Sequence, residues 1–264
     1  MNSHRVKHIT SPENPHYKLL KKIASSSRER RKCGQTLLDG VHLLHALADA
    51  GGAPALLALK AGKETEAEIE RCLSRFPGAP RLVFSEVLFD SLSPVEHPTG
   101  LLGLITIPAV PKHRRQFCVL LEAIQDPGNL GAMLRTAAAA GVDAVYLSKG
   151  CAEVWSPKAL RAGMGAQFAL ALHEHADLTL IARELKSLIA TSLDAQQSLY
   201  DLDLSGPVAF VFGNEGAGLS PALLDTATHQ VKIPMPGKAE SLNVAAAAAV
   251  CLFECVRQRG CKRR

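Results

Sequence analysis

The segment Val231-Lys-Ile-Pro-Met-Pro-Gly-Lys-Ala-Glu-Ser-Leu-Asn-Val244 constrains the fold more than any other part of the chain. It passes from an apolar run, through a loop stiffened by two prolines, into an alanine-rich helix. Ser241 and Asn243 stand where that helix begins. Both are favoured cap residues, whose side-chain oxygens accept from the first free N–H groups of a helix. Two upstream segments have the same form. Asp126-Pro-Gly-Asn-Leu-Gly-Ala-Met-Leu-Arg135 follows the apolar residues 117–124, and Val208-Ala-Phe-Val-Phe-Gly-Asn-Glu-Gly-Ala-Gly-Leu-Ser-Pro221 holds a strand, a glycine-rich turn and a helix start. Strands that hand over to helices in this way imply an α/β architecture with a mostly parallel sheet covered on both faces.

The 264 residues suffice for two domains of ordinary size. Pro108-Ala-Val-Pro-Lys-His-Arg-Arg115 puts two prolines and a basic run between apolar segments, as an exposed linker does. The expected division is therefore a domain over 1–107, a linker over 108–115 and a second domain over 116–264. Periodicity predicts helices at 17–23, 39–50 and 65–76 and strands at 55–59, 81–84 and 101–107 in the first domain. For the second it predicts strands at 117–124, 144–147, 168–172, 189–192, 208–212 and 230–233. Helices are expected at 129–140, 157–164, 178–188 and from about 241 to 257.

Charge is modest overall, +5, but unevenly placed. Residues 1–32 hold nine Lys/Arg, among them Arg5, Lys18, Lys21, Lys22, Arg30 and Arg31, against two acids. A second cluster, Arg257, Arg259, Lys262, Arg263 and Arg264, ends the chain. Such runs are either solvated surface or a footprint for phosphates, which bind Lys/Arg with release of condensed counterions. Seven cysteines form an odd set without a Cys-x-x-Cys pair, so neither a disulfide framework nor a zinc cage is expected, and the scattered histidines show no metal spacing. Cys251 and Cys255 read as buried thiols of the last helix. The first residues lack an apolar signal core, and the longest apolar run, 244–253, is too short to span a bilayer. A reducing, cytoplasmic setting and no membrane are the expectation.

Ligands of open α/β sheets bind beyond the carboxyl ends of strands, where glycines admit them to the backbone. Gly213, Gly216 and Gly218 occupy such a place, in a spacing that fits neither of the common nucleotide loops. Together with Asn129 to Arg135 and Ser241-Leu-Asn243, this turn resembles the three motifs of the SpoU-type (TrmH-like) RNA 2'-O-ribose methyltransferases, a branch of the SPOUT superfamily. The resemblance implies a knotted (trefoil) C-terminal domain, a bound S-adenosyl-L-methionine, and a homodimer paired through that domain. It places Gly213, Ile233 and Leu242 at the cofactor by their backbones and Met235 on its apolar wall. Asn214, Gly216 and Gly218 belong to the same cofactor turn. Ser11 to Lys18, Leu37 to Gly40 and His97 to Gly103 resemble, less specifically, an N-terminal RNA-binding domain related to a ribosomal protein fold.

For such chemistry a ribose hydroxyl must be positioned and its developing alkoxide stabilised. The family pattern makes Arg135 catalytic. A guanidinium yields its proton only at great cost, so the role expected of Arg135 is phosphate clamp and alkoxide stabiliser rather than base. Glu215 is expected to orient Arg135 or accept the proton, with Asn129, Ser241 and Asn243 around the ribose. Lys18, Lys21, Lys22, Arg30 and Arg31 are the expected phosphate contacts. The RNA implied is ribosomal rather than transfer RNA, because a separate RNA-binding domain is appended. A transfer RNA 2'-O-ribose methyltransferase, or a catalytically silent RNA-binding or ribosome-assembly protein, is the alternative, and base methylation by another SPOUT branch a further reading. Trp155 reads as a packing residue, Lys158 and Arg161 as solvated charges, and the last helix as offering Val244, Ala248, Cys251, Leu252 and Cys255 to a second subunit.

Overall fold

The structure, a computed structural model, describes residues 7–93 and 98–260. Arg5, the beginning of the His97 motif, Cys261, Lys262, Arg263 and Arg264 lie outside the described residues. The chain divides into two compact units, one of residues 1–109 together with 155–168, the other of 110–154 and 169–264. The junction between Ala109 and Val110 falls inside the proline-rich segment expected to be a linker. The segment 155–168 differs from expectation, since it belongs to the first unit although its flanks belong to the second.

In the first unit, strands β1 (Lys7–Ile9), β2 (Gln35–Asp39), β3 (Leu56–Lys60), β4 (Arg81–Phe84) and β5 (Leu101–Thr106) form a mixed sheet in the order β1-β4-β3-β5-β2. Helices α1 (Pro15–Ser25), α2 (Ser27–Cys33), α3 (Val41–Asp49), α4 (Ala67–Ser74) and α5 (Glu86–Leu92) accompany it. Ile23, Leu37, Phe84, Phe89 and Leu102 are among the side chains that close one core. Residue 39, expected to begin a helix, instead ends β2. Gly40 adopts φ +95°, a conformation that L side chains rarely take, and this breaks the chain between strand and helix.

The second unit has β6 (Phe117–Leu121), β7 (Ala144–Leu147), β8 (Ala171–His173), β9 (Leu188–Thr191), β10 (Gln197–Ser198), β11 (Val208–Phe212) and β12 (His229–Lys232). Their order is β10-β12-β9-β11-β6-β7-β8, with every pairing parallel. The central strands β6 and β11 are buried along their whole length, as a parallel sheet covered on both faces requires. Helices α6 (Pro127–Ala140), α8 (Leu178–Arg183), α9 (Pro221–Thr226) and α10 (Val244–Gln258) belong to this unit, and α7 (Pro157–Gly163) to the first. Helix α6 starts at Asp126, whose carboxylate accepts from the Asn129 N–H at 2.8 Å, has Pro127 in its first turn, and ends at Gly141 in the left-handed region.

The face of α10 expected to meet a second subunit is already used. Ala248, Cys251, Leu252 and Cys255 are buried within the chain, where α10 packs on α6 and β11. One helix offers one apolar stripe, and here α6 and β11 take it. The side left outward carries Ala246 and Phe253, the latter 48% exposed. Among the described residues no helix is long and apolar enough to cross a membrane.

Candidate active site

The turn after β11 is closed on itself by backbone. Asn214 and Gly218 exchange both N–H···O bonds, at 3.1 and 2.9 Å, and the Asn214 Oδ1 accepts from the N–H groups of Gly216 and Ala217 at 2.9 and 3.1 Å. The ring is so tight that a Cβ on Gly213 would lie 2.2 Å from the Gly218 carbonyl oxygen. Only glycine fits there. Glu215 is thereby held exposed in the turn.

The Glu215 carboxylate accepts from the side-chain amide of Asn129, in the first turn of α6. The Asn129 Oδ1 in turn accepts from Asn243 Nδ2 at 3.0 Å. Asn243 is also the N-cap of α10, its Oδ1 accepting from Ala245 and Ala246 at 2.9 and 3.4 Å. Asn243 therefore caps α10 with its oxygen and is joined to Asn129 through its nitrogen, each on a different atom of one amide. Three motifs, the first and last 114 residues apart in the chain, meet in this line of side chains.

A cleft of about 640 Å3 opens beside it, between the turns that follow β9, β11 and β12. All seven residues expected at the cofactor line it: Gly213, Asn214, Gly216, Gly218, Ile233, Met235 and Leu242. So do Glu215, Ser241 and Asn243. The sequence reading missed Thr191, Ser192, Leu193 and Asp194, which form a further wall. Their signal is the same strand-to-turn handover at the end of β9, without a glycine to mark it.

Arg135 is exposed on α6, and among the described residues no bond joins it to Glu215, whose carboxylate accepts from Asn129. Six residues along a helix turn the side chains about 120° apart, so Arg135 and Asn129 leave α6 on different faces.

In the first unit the expected phosphate contacts separate. Lys22 and Arg31 are exposed, Lys18 pairs with Glu13, and Lys21 bonds the Ser91 carbonyl. Arg30 is not a surface contact. It is 5% exposed and donates to the carbonyls of Ile23 and Ala24, at 2.7 and 3.2 Å, serving the unpaired end of α1. Trp155 is buried against Phe168 at 5.9 Å between ring centres, and its carbonyl accepts from the Thr36 hydroxyl at 2.6 Å, so it packs in this unit.

Residues 116–253 match the model of the SpoU rRNA methylase family. The chain belongs to that family. It is 37% identical over 260 residues to an uncharacterized tRNA/rRNA methyltransferase of Synechocystis, a match that spans 95% of this chain and 94% of the relative. The Bacillus subtilis 23S rRNA (guanosine(2553)-2'-O)-methyltransferase RlmP is 32% identical over 252 residues, 94% of this chain and 98% of the relative. Among solved structures, the AdoMet-bound rRNA methyltransferase of Sinorhizobium meliloti superposes with a TM-score of 0.83 at 27% identity, over 96% of this chain and 98% of that one.

Proposed function

We propose that this chain transfers the methyl group of S-adenosyl-L-methionine to a ribose 2'-hydroxyl of ribosomal RNA. The observation that carries the reading is the line Asn243–Asn129–Glu215 at the rim of a cleft of about 640 Å3. Cofactor-sized ligands occupy clefts of roughly 300–1,000 Å3 lined by apolar surface with a few fixed polar groups. Met235, Leu242 and Phe212 supply that surface here, and the glycine turn leaves backbone groups within reach. Gly213, Ile233 and Leu242 hold the cofactor by their main chains, with Gly216 and Gly218 opening the turn to it. When bound, it supplies a methyl group activated on sulfonium.

The chain's own groups do the rest. Asn129 fixes Glu215, and the second carboxylate oxygen of Glu215 takes the hydroxyl proton. Arg135 clamps a neighbouring phosphate and stabilises the alkoxide as it forms, while Ser241 and Asn243 position the ribose. The unit of residues 1–109 and 155–168 binds RNA through Lys18, Lys21, Lys22 and Arg31. The fold proposed for the cleft is the knotted one implied by the family resemblance, and the active form a cytoplasmic homodimer paired over the outward side of α10, at Ala246 and Phe253.

Incubation with methyl-labelled S-adenosylmethionine and either ribosomal or transfer RNA from cells lacking this protein tests the reading. Label should enter a single ribosomal ribose. Label in transfer RNA alone, or on a base, overturns it.

A further inference from the structure

Asn214 lies in the cleft wall, where a cofactor ligand is expected, yet its side chain is occupied elsewhere. Its Oδ1 faces two N–H donors, those of Gly216 and Ala217, and its Nδ2 donates to the Ala123 carbonyl at 3.0 Å. Those partners fix which way the amide points, since a flip would set oxygen against oxygen and N–H against N–H. Ala123 is itself unusual. It has φ +54°, in the left-handed region that alanine avoids, on the loop joining β6 to α6. Two bonds hold it there, the one from Asn214 to its carbonyl and one from its own N–H to the Ser148 Oγ at 3.0 Å. Strain of this kind persists only where the surroundings impose it. Three residues on, Asp126 caps α6 and holds the N–H of Asn129.

The tie therefore closes a ring. Asn214 precedes Glu215, Ala123 leads through Asp126 to Asn129, and Glu215 bonds Asn129. We propose that Asn214 is a positioning residue for methyl transfer and not a cofactor ligand: through the Ala123 carbonyl it sets the loop that brings Asn129 to Glu215. This deepens the proposed function and rests on it for the reaction it serves.

Asn214→Asp isolates the tie. A carboxylate oxygen still accepts from Gly216 and Ala217, while the other meets the Ala123 carbonyl as acceptor against acceptor. With RNA and S-adenosylmethionine both saturating, methyl transfer should fall about 100-fold, as for a displacement of the order of an ångström at a reacting centre. The affinity for S-adenosylmethionine, measured by calorimetry, should be unchanged. In a Glu215→Gln background the same substitution should cost little more, because its effect passes through Glu215. Weakened cofactor binding with the saturated rate restored would make Asn214 a ligand and overturn the assignment. Independent, multiplying losses in the double variant would also overturn it, leaving only a structural role. Should Asn214→Asp not fold, Asn214→Ser, which can cap the turn but cannot reach Ala123, is read by the same outcomes. A wild-type chain that methylates no RNA would refute the proposed function alone. The Asn129 side-chain amide resonances of the cofactor-free protein then decide the present assignment: displaced in Asn214→Asp they support it, unmoved they overturn it.

Discussion

Asn243 offers a substitution that separates folding from catalysis within one side chain. Its oxygen caps α10 and its nitrogen donates to Asn129. Asn243→Ala removes both, and should destabilise the protein by about 1 kcal/mol, the usual value of an N-cap. For a unit of this size that lowers the melting temperature by roughly 2–4 °C. Asn243→Asp keeps the cap, and its charge at the helix N-terminus adds about 0.3–1 kcal/mol of stability. The donor is lost, however, and a carboxylate oxygen now faces the Asn129 Oδ1. Rotating the Asn129 amide gives no relief, because its oxygen would then meet Glu215. Methyl transfer should fall about 100- to 1,000-fold in both variants, the loss typical of one fixed hydrogen-bonding group around a reacting oxygen. Thermal denaturation beside a methyl-transfer assay reads the two effects separately. An Asn243→Asp protein as active as wild type would refute the argument, and so would an Asn243→Ala protein that melts unchanged.

Arg135→Ala should lower methyl transfer by about 100- to 1,000-fold and leave cofactor affinity unchanged in calorimetry, since Arg135 is not among the residues that line the cleft. In the first unit, neutralising Lys22 or Arg31 should each reduce the log–log salt slope of RNA binding by about 0.7–0.9, whereas Arg30→Gln should leave the slope unchanged and lower the melting temperature. Ala248→Glu should unfold the second unit, as a charge placed in its core, while Phe253→Glu should leave it folded and monomeric in analytical ultracentrifugation. A fragment of residues 116–264 should be less soluble than one in which a short Gly/Ser linker replaces 155–168, because in the fragment Trp155 and Leu160 lose the unit that buries them.

What was legible in the sequence follows from which signals are local. The apolar runs at 81–84, 144–147 and 208–212 are strands with the expected bounds, because a run buried on both faces and ended by a turn has few other uses. Strand β2 was hidden. Its residues Thr36, Leu37 and Leu38 continue into the apolar helix α3, and only the conformation of Gly40 parts them. Helices α2 and α5 were not expected, each being only seven residues long, too short for a periodicity to stand out. The membership of 155–168 in the first unit has no local signal either. It rests on pairings such as Thr36 with Trp155 that join positions 119 apart. Arg30 misled for the same reason: in a run of Arg-Glu-Arg-Arg-Lys nothing marks the one guanidinium that folds inward onto α1.

The site residues themselves were legible as types, but not their mutual roles. Asn129 spends its oxygen on Asn243 and one N–H on Glu215, and Asn243 spends its oxygen on α10 and one N–H on Asn129. An amide has one oxygen and two N–H groups, so each of these residues keeps one N–H for a ligand. Among the described residues Glu215 receives a single bond, from Asn129, and its second carboxylate oxygen is left without a partner. Of the two tasks the motif pattern allowed Glu215, orienting Arg135 or taking a proton, the bond to Asn129 fits the second, and among the described residues no bond joins Glu215 to Arg135. Holding one carboxylate oxygen on an amide aims the other, and aiming an acceptor before the substrate arrives is what a proton-accepting group requires, since no reorganisation is then left for the moment of reaction.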